Sequence, residues 1–284
     1  MYRYAYNVIL ASGVVVLSIK ESDNFKNSGD YIQSLDRGLQ VIQAFSQQDR
    51  SLTVSGVAKK TGLSRPTARR ILLTLEHLGF AESENNAYSL TARTLSLGYA
   101  YLSSNNTWSL AHPFMREFVA KTEESCSISI LDGTDVLYVA RVSTKRIMSI
   151  NLDVGSRLPA YATSMGHVLL AYLEEDELEK YMDAINFEQY TSKTITDKEQ
   201  LRQVLAEVRE RGWGGVDQQF EEGLRSIAVP LRNETGKVIA AINCSAHAGR
   251  TSKEMLREEF LPILKDSAEK INQAIAATNT ANLL

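Results

Sequence analysis

Apolar residues in the first third of the chain recur every three or four positions, the period of a helix face. Ile32, Leu35, Leu39, Ile42 and Phe45 fall on one side of a predicted helix. The polar stretch QDRSLT reads as a turn. VSGVAKKTG then predicts a short helix that buries Val54, Val57 and Ala58 and stops at Gly62. Ser64 suits the N-cap of a third helix, Pro66 is tolerated in its first turn, and Ala68, Ile71, Leu72 and Leu75 form its inward face. Gly79 ends it. FAESENNAYSLT predicts two short strands around the polar Glu84, Asn85 and Asn86, a hairpin. This order of elements is that of a winged helix-turn-helix. TARTLSLGYAYLSSNN follows as a linker helix. Its Leu95, Leu97, Tyr99 and Leu102 offer more apolar surface than a lone connector needs, and the same helix of a second subunit would cover it.

Beyond about Asn106 strand patterns appear. AHPFMREFVAKTEES predicts a helix, CSISILDGTDVLYVARV two strands around a glycine turn, and IMSINLDVG a third strand. TSMGHVLLAYL and DELEKYMDAI are helical. TDKEQLRQVLAEVRERG opens on Thr196 and Glu199 as a capping box and closes on Gly212. GLRSIAVPL and KVIAAINCSA are strands joined through NETG, and a long helix starts near Ser252 and is disturbed at Pro262. Antiparallel strands mixed with helices make the fold class α+β. The division expected is a tail over 1–30, a winged helix over 31–92, a linker helix over 93–109 and an α+β domain over 110–284. The apolar run from Val8 to Ile19 falls short of the roughly 20 residues that span a bilayer. Arg3 and this run resemble a weak signal peptide without a convincing cleavage site. A tail or an adventitious strand, arising from an upstream start codon, is the preferred reading.

Charge sharpens the picture. The 284 residues carry a net charge of −3, but residues 31–105 hold eight Lys/Arg against five Asp/Glu, and residues 106–284 hold 20 against 26. A basic front on an acidic body suits a polyanion partner for the front alone. Within that front the third helix concentrates Arg65, Arg69 and Arg70 with no lysine and no acid before Glu76. Cations at a helix start oppose its dipole. Arginine's planar fork grips guanine or phosphate in a way lysine cannot, and the N-terminal half of a recognition helix is the part that reaches base edges. Double-stranded DNA is therefore the expected partner, with an ordinary solvated helix start as the bland alternative.

Two cysteines, Cys126 and Cys244, make no disulfide framework and read as buried thiols in a reducing cytoplasm. Four scattered histidines carry no metal-binding spacing, and a P-loop, G-x-G-x-x-G and G-x-S-x-G are all absent from the sequence. An enzyme using Ser226 or Cys126 as nucleophile is thus disfavoured. Asn243 and Ser245 are alternate residues of one otherwise apolar strand and share a face. Buried polar groups need partners, either neighbouring backbone or a small polar ligand. The helix starting at Ser164 offers free amides to a carboxylate. Arg141, ending LYVAR, would add charge or make a surface salt bridge.

The segments YIQSLDRGLQVIQAF, GVAKKTGLSRPTARRIL, LPAYATSMGHVLLA, EEGLRSIAVPL and AAINCS together resemble the IclR family of bacterial transcriptional regulators, over about residues 30 to 275. The resemblance implies a winged helix, a linker helix and a GAF/profilin-like effector domain. It implies a homodimer or tetramer on an operator, a cytoplasmic protein, no membrane and no cofactor. DYIQSLDRGL and RLPAYATSMG are most similar to the subgroup that senses protocatechuate, p-hydroxybenzoate and related aromatic acids. The DNA-contacting set then comprises Arg37, Ser64, Arg65, Pro66, Thr67, Arg69 and Arg70. The effector pocket carried over residue by residue comprises Ser164, Met165, Asp217, Ser226, Asn243 and Ser245, with Arg141 added from its own chemistry. Ser226 stands where some relatives have cysteine.

Overall fold

The computed structural model describes residues 5–11, 14–20, 23–46, 48–104, 107–144 and 152–281. They fall into two units, Met1–Asn105 and Asn106–Leu284. The first begins with an antiparallel hairpin of β1 (Ala5–Ala11) and β2 (Val14–Lys20), with Val8 opposite Leu17, and a single turn α1 (Asp23–Lys26). Then come α2 (Gln33–Gln43), β3 (Ser51–Leu52), α3 (Val54–Thr61), α4 (Arg65–His77), β4 (Ala81–Glu84) and β5 (Ala87–Leu90). The stretch read as a turn thus supplies a strand: β3 pairs with β5, giving the order β3-β5-β4. Asn85 and Asn86 close the β4–β5 wing at φ 49° and 67°, the left-handed pair of a two-residue hairpin turn.

The core of this unit is Val41, Ala44, Leu52, Val57, Ala58, Ala68, Leu72 and Leu75, with Ala81 and Tyr88 from the wing. Val41 and Ala44 turn α2 inward, while Ile32, Leu35 and Leu39 lie on the outside, Ile32 63% and Leu35 59% exposed. The apolar side named from the sequence thus divides: Ile42 and Phe45 pack against this core, and Ile32, Leu35 and Leu39 do not. A 3₁₀ turn (Ala92–Thr94) leads into α5 (Leu95–Ser104), on which Leu95, Leu97 and Tyr99 are likewise exposed.

The second unit runs α6 (Thr107–Thr122), β6 (Ser125–Asp132), β7 (Asp135–Val142), β8 (Arg157–Pro159), α7 (Ser164–Ala171), α8 (Glu175–Ala184), α9 (Lys198–Arg211), β9 (Gly214–Asp217), β10 (Leu224–Arg232), β11 (Val238–His247), α10 (Lys253–Met255) and α11 (Leu261–Ala281). Of the strand expected over IMSINLDVG, residues 147–151 lie outside the described residues. β8, which pairs with β7, begins only at Arg157. α9 is capped by Asp197, whose carboxylate accepts from the Gln200 amide, rather than by Thr196. Between α10 and α11 a π turn (Leu256–Phe260) ends just before Pro262, whose ring nitrogen can donate no helix bond.

The described strands of this unit form one antiparallel sheet in the order β8-β7-β6-β11-β10-β9. Alternation decides its two faces. Cys126, Ile128, Ile227, Val229, Ile242 and Cys244 point to a core with Phe118, Leu264 and Ile271 of α6 and α11. The intervening residues point to a second core built on α7, with Met165, Val168 and Leu170. No helix among the described residues is long and apolar enough to cross a membrane.

Candidate DNA-contacting helix and effector cavity

α4 begins as its sequence dictates. The Ser64 hydroxyl accepts from the Thr67 amide at 3.3 Å and lies 2.9 Å from the Thr67 hydroxyl, and Pro66 occupies the first turn. With Ala68, Leu72 and Leu75 buried, Arg65, Arg69 and Arg70 are left exposed and Thr67 half-buried. No carboxylate among the described residues pairs with any of the three arginines. Arg37 stands apart from this row: it is half-buried on α2, where it lines an apolar groove of about 690 Å³ with Leu35, Leu39, Thr67, Arg70 and Leu97.

In the second unit the α7 face of the sheet carries a polar strip. Strand register sets Ser226 opposite Ser245, Ser245 opposite Ser125, and Asn243 opposite Ser127. Asn243 Oδ1 accepts from the Ser127 amide at 3.1 Å, and its Nδ2 donates to Ser245 Oγ at 3.0 Å. Arg141, opposite Ser127 on β7, donates to Ser127 Oγ at 3.0 Å. It has no ion pair among the described residues, so the surface salt bridge considered for it is not found there.

Arg141, Ser164, Ser226, Asn243 and Ser245 line one cavity, closed by Tyr138, Leu152, Leu158, Phe220 and Leu224. Burial pushes the Tyr138 hydroxyl up to about 12, against the opposing effect of Arg141, so it stays a protonated donor. Ser164 is 1% exposed, and its hydroxyl has no hydrogen-bond partner among the described residues. Thr163 caps α7 by accepting from the Gly166 amide. The preceding amides of Ser164 and Met165 have no acceptor among the described residues. Two close approaches hold this helix start in place. A Cβ on Gly166 would sit 2.0 Å from the Ala160 carbonyl oxygen, and one on Gly214 would sit 2.7 Å from that of Ser164.

Two of the expected pocket residues lie elsewhere. Met165 is fully buried beneath the cavity, its sulfur accepting from Ser129 Oγ at 3.2 Å. Asp217 does not line the cavity. It sits opposite Arg225 at the sheet edge and is held by Arg225, Lys253 and Lys193 at 2.5, 3.0 and 3.1 Å. Burial raises its pKa, but hydrogen bonds from these cations and Gln218 outweigh that and hold the carboxyl well below its usual range. Strand alternation explains the placement, since Asp217 and Ser226 occupy opposite faces. Sequence reasoning missed Ser127, which signals itself only as the partner of Asn243 in the alternating SCSISI. It also missed Tyr138 and Phe220, which carry no local signal. Among the described residues no group of His, Cys, Asp and Glu could hold a metal ion.

An arginine-bearing winged helix joined in one chain to a domain whose cavity sets a few polar side chains among apolar walls defines a DNA-binding regulator with its own sensor domain. The chain matches the family described as bacterial transcriptional regulator IclR C-terminal over residues 99–273, and the IclR helix-turn-helix domain over residues 34–85. It belongs to the IclR family of bacterial transcriptional regulators. It is 42% identical over 256 residues to the Pca regulon regulatory protein of Pseudomonas putida, covering 90% of this chain and 88% of that one. It is 34% identical to the p-hydroxybenzoate hydroxylase transcriptional activator of Acinetobacter baylyi (strain ATCC 33305 / BD413 / ADP1), covering 87% and 93%. An IclR homologue from Microbacterium hydrocarbonoxydans, solved in complex with 4-hydroxybenzoate, superposes with a TM-score of 0.74 at 26% identity, covering 85% of this chain and 98% of that one.

Proposed function

We propose that this regulator binds its operator through Arg65, Arg69 and Arg70 and is switched by a small aromatic carboxylate held in the cavity on the α7 face. One observation carries the effector reading: an arginine with no carboxylate partner and a buried serine hydroxyl with no hydrogen-bond partner, both among the described residues, line the same cavity. A carboxylate answers Arg141 and the free amides at the start of α7. A ring hydroxyl answers Ser164 or the Asn243–Ser245 pair, and Leu152, Leu158 and Phe220 wall the ring. The names of the two relatives and the 4-hydroxybenzoate bound by the solved homologue support the aromatic class. The cavity is small, about 30 Å³, so a ring must widen it. That closed volume favours a second reading, a two- or three-carbon keto acid.

The exposed Ile32, Leu35, Leu39, Leu95 and Leu97 support assembly of the first unit as a dimer, because an apolar surface of this kind is characteristic of an interface. The reading assigns the protein to the cytoplasm and gives it no catalytic step. Cys126 is buried and its thiol is pushed up by that burial, and Ser226 has no hydrogen bond to a histidine among the described residues. A thermal-shift panel separates the readings, because a ligand specific to the folded state raises its stability. 4-Hydroxybenzoate and protocatechuate should raise the unfolding temperature of the native protein by more than that of Asn243→Ala. A shift from pyruvate or glyoxylate that Asn243→Ala removes, beside aromatic-acid shifts that it leaves unchanged, would select the second reading.

A further inference from the structure

On the other face of the sheet, at its β9 edge, lies a larger cavity of about 290 Å³. Its walls include Trp213, Gly215, Ile227 and Leu256, and its lining carries four cations, Arg211, Arg225, Lys253 and Arg257, against two carboxylates, Asp217 and Glu254. The charges are not equivalent. Asp217 is saturated by cations, and Arg225 spends its guanidinium on Asp217 and on the carbonyls of Ala248 and Thr251. Arg257 reaches Glu258 at the surface. Arg211 differs from all of these. It closes α9, its Nε donates to the Trp213 carbonyl at 2.8 Å, and its guanidinium carbon stands 4.0 Å from the Trp213 ring centroid. No carboxylate among the described residues forms an ion pair with it. Burial lowers its pKa, and Glu207 only partly offsets this. Gly215 leaves room for the indole, since a Cβ there would lie 2.9 Å from the ring.

A guanidinium held over an indole, with its Nε–H on a carbonyl, still has its terminal N–H groups to offer a carboxylate. Here that edge borders an apolar-walled space with a positive rim. We propose that this cavity is a second ligand site, taking a monocarboxylate with an apolar body of about the size of benzoate. The carboxylate pairs with Arg211, Lys253 and Arg257 add long-range attraction at the rim, and the body lies against Trp213, Ile227 and Leu256. The site stands independently of the effector assigned to the α7 face. Val216 and Ser226 border both cavities, so the two lie back to back across β9 and β10.

The test uses Trp213 as its own reporter. The chain has two tryptophans, so Trp108→Phe leaves Trp213 as the single emitter. Titrating the full-length Trp108→Phe protein with benzoate should change Trp213 emission saturably. Adding Asn243→Ala, which disables the α7-face cavity, should leave this titration unaltered. Adding Arg211→Gln should weaken it at least about tenfold, the scale of a lost charge-assisted pair. If Arg211→Gln does not fold, the rim variant Lys253→Gln/Arg257→Gln replaces two exposed side chains and should weaken binding several-fold at low salt. The proposal is overturned by the absence of a saturable change at millimolar benzoate, by unchanged affinity in the charge variants, or by a signal that Asn243→Ala abolishes.

Discussion

His167 predicts an acid-sensitive effector domain. It sits on α7, one turn beyond Ser164, and is fully buried. Its Nε2 lies 2.6 Å from the Tyr161 carbonyl oxygen, so Nε2 carries the proton, and Nδ1 has no partner among the described residues. Burial lowers its pKa from 6.5 to about 4, with the Tyr161 carbonyl acting the other way and Arg211 adding to the depression. Because the folded value lies below the unfolded one, the unfolded chain takes up the proton first as pH falls. Stability is full above about pH 6.5, declines between there and pH 4, and then levels off with respect to this group. Integrating that difference from pH 7.5 to pH 5 gives a loss of about 2 kcal/mol. Urea unfolding of the full-length protein measures it, followed by tryptophan emission, since Trp108 and Trp213 both lie in the second unit. His167→Gln keeps an amide donor for the Tyr161 carbonyl but does not titrate. The native protein should lose about 2 kcal/mol more than this variant over the same pH interval. Equal pH dependence in the two proteins would refute the argument.

Three other outcomes follow from the geometry. Arg65→Ala or Arg69→Ala should each weaken operator binding by about 1–3 kcal/mol in anisotropy titrations and leave the unfolding temperature unchanged, because both side chains point to solvent. Gly166→Ala should destabilise the second unit by at least about 1–3 kcal/mol in chemical unfolding, because the new methyl meets backbone rather than a side chain that can swing away. Leu35→Glu should convert a dimer to a monomer in sedimentation while the single-chain fold persists, since Leu35 is exposed within the first unit.

The winged helix was legible because its signals are local. Ser64 caps α4, Gly62 takes the left-handed position after α3 at φ 70°, and the two asparagines close the wing. Nothing local distinguishes which stripe of α2 meets the core, because that depends on α3 and α4. In the second unit the alternation of INCS gave Asn243 and Ser245 a shared face without locating their partners. Ser127 and Arg141 join them only through the β11–β6–β7 register. Asp217 shows the limit of reasoning by resemblance across a loop. A strand reverses its facing with every residue, so one position of uncertainty between Asp217 and Ser226 moves the carboxylate to the other cavity.

Calorimetry of 4-hydroxybenzoate against the full-length protein and its Arg141→Ala variant tests the effector assignment most directly. Both are measured in an Arg211→Gln background, so that the α7-face cavity alone is read. Losing a charge-assisted pair costs about 1.5–3 kcal/mol, so the variant should bind roughly tenfold or more weakly, with its operator affinity unchanged. Equal affinity for 4-hydroxybenzoate in the two proteins would contradict the account.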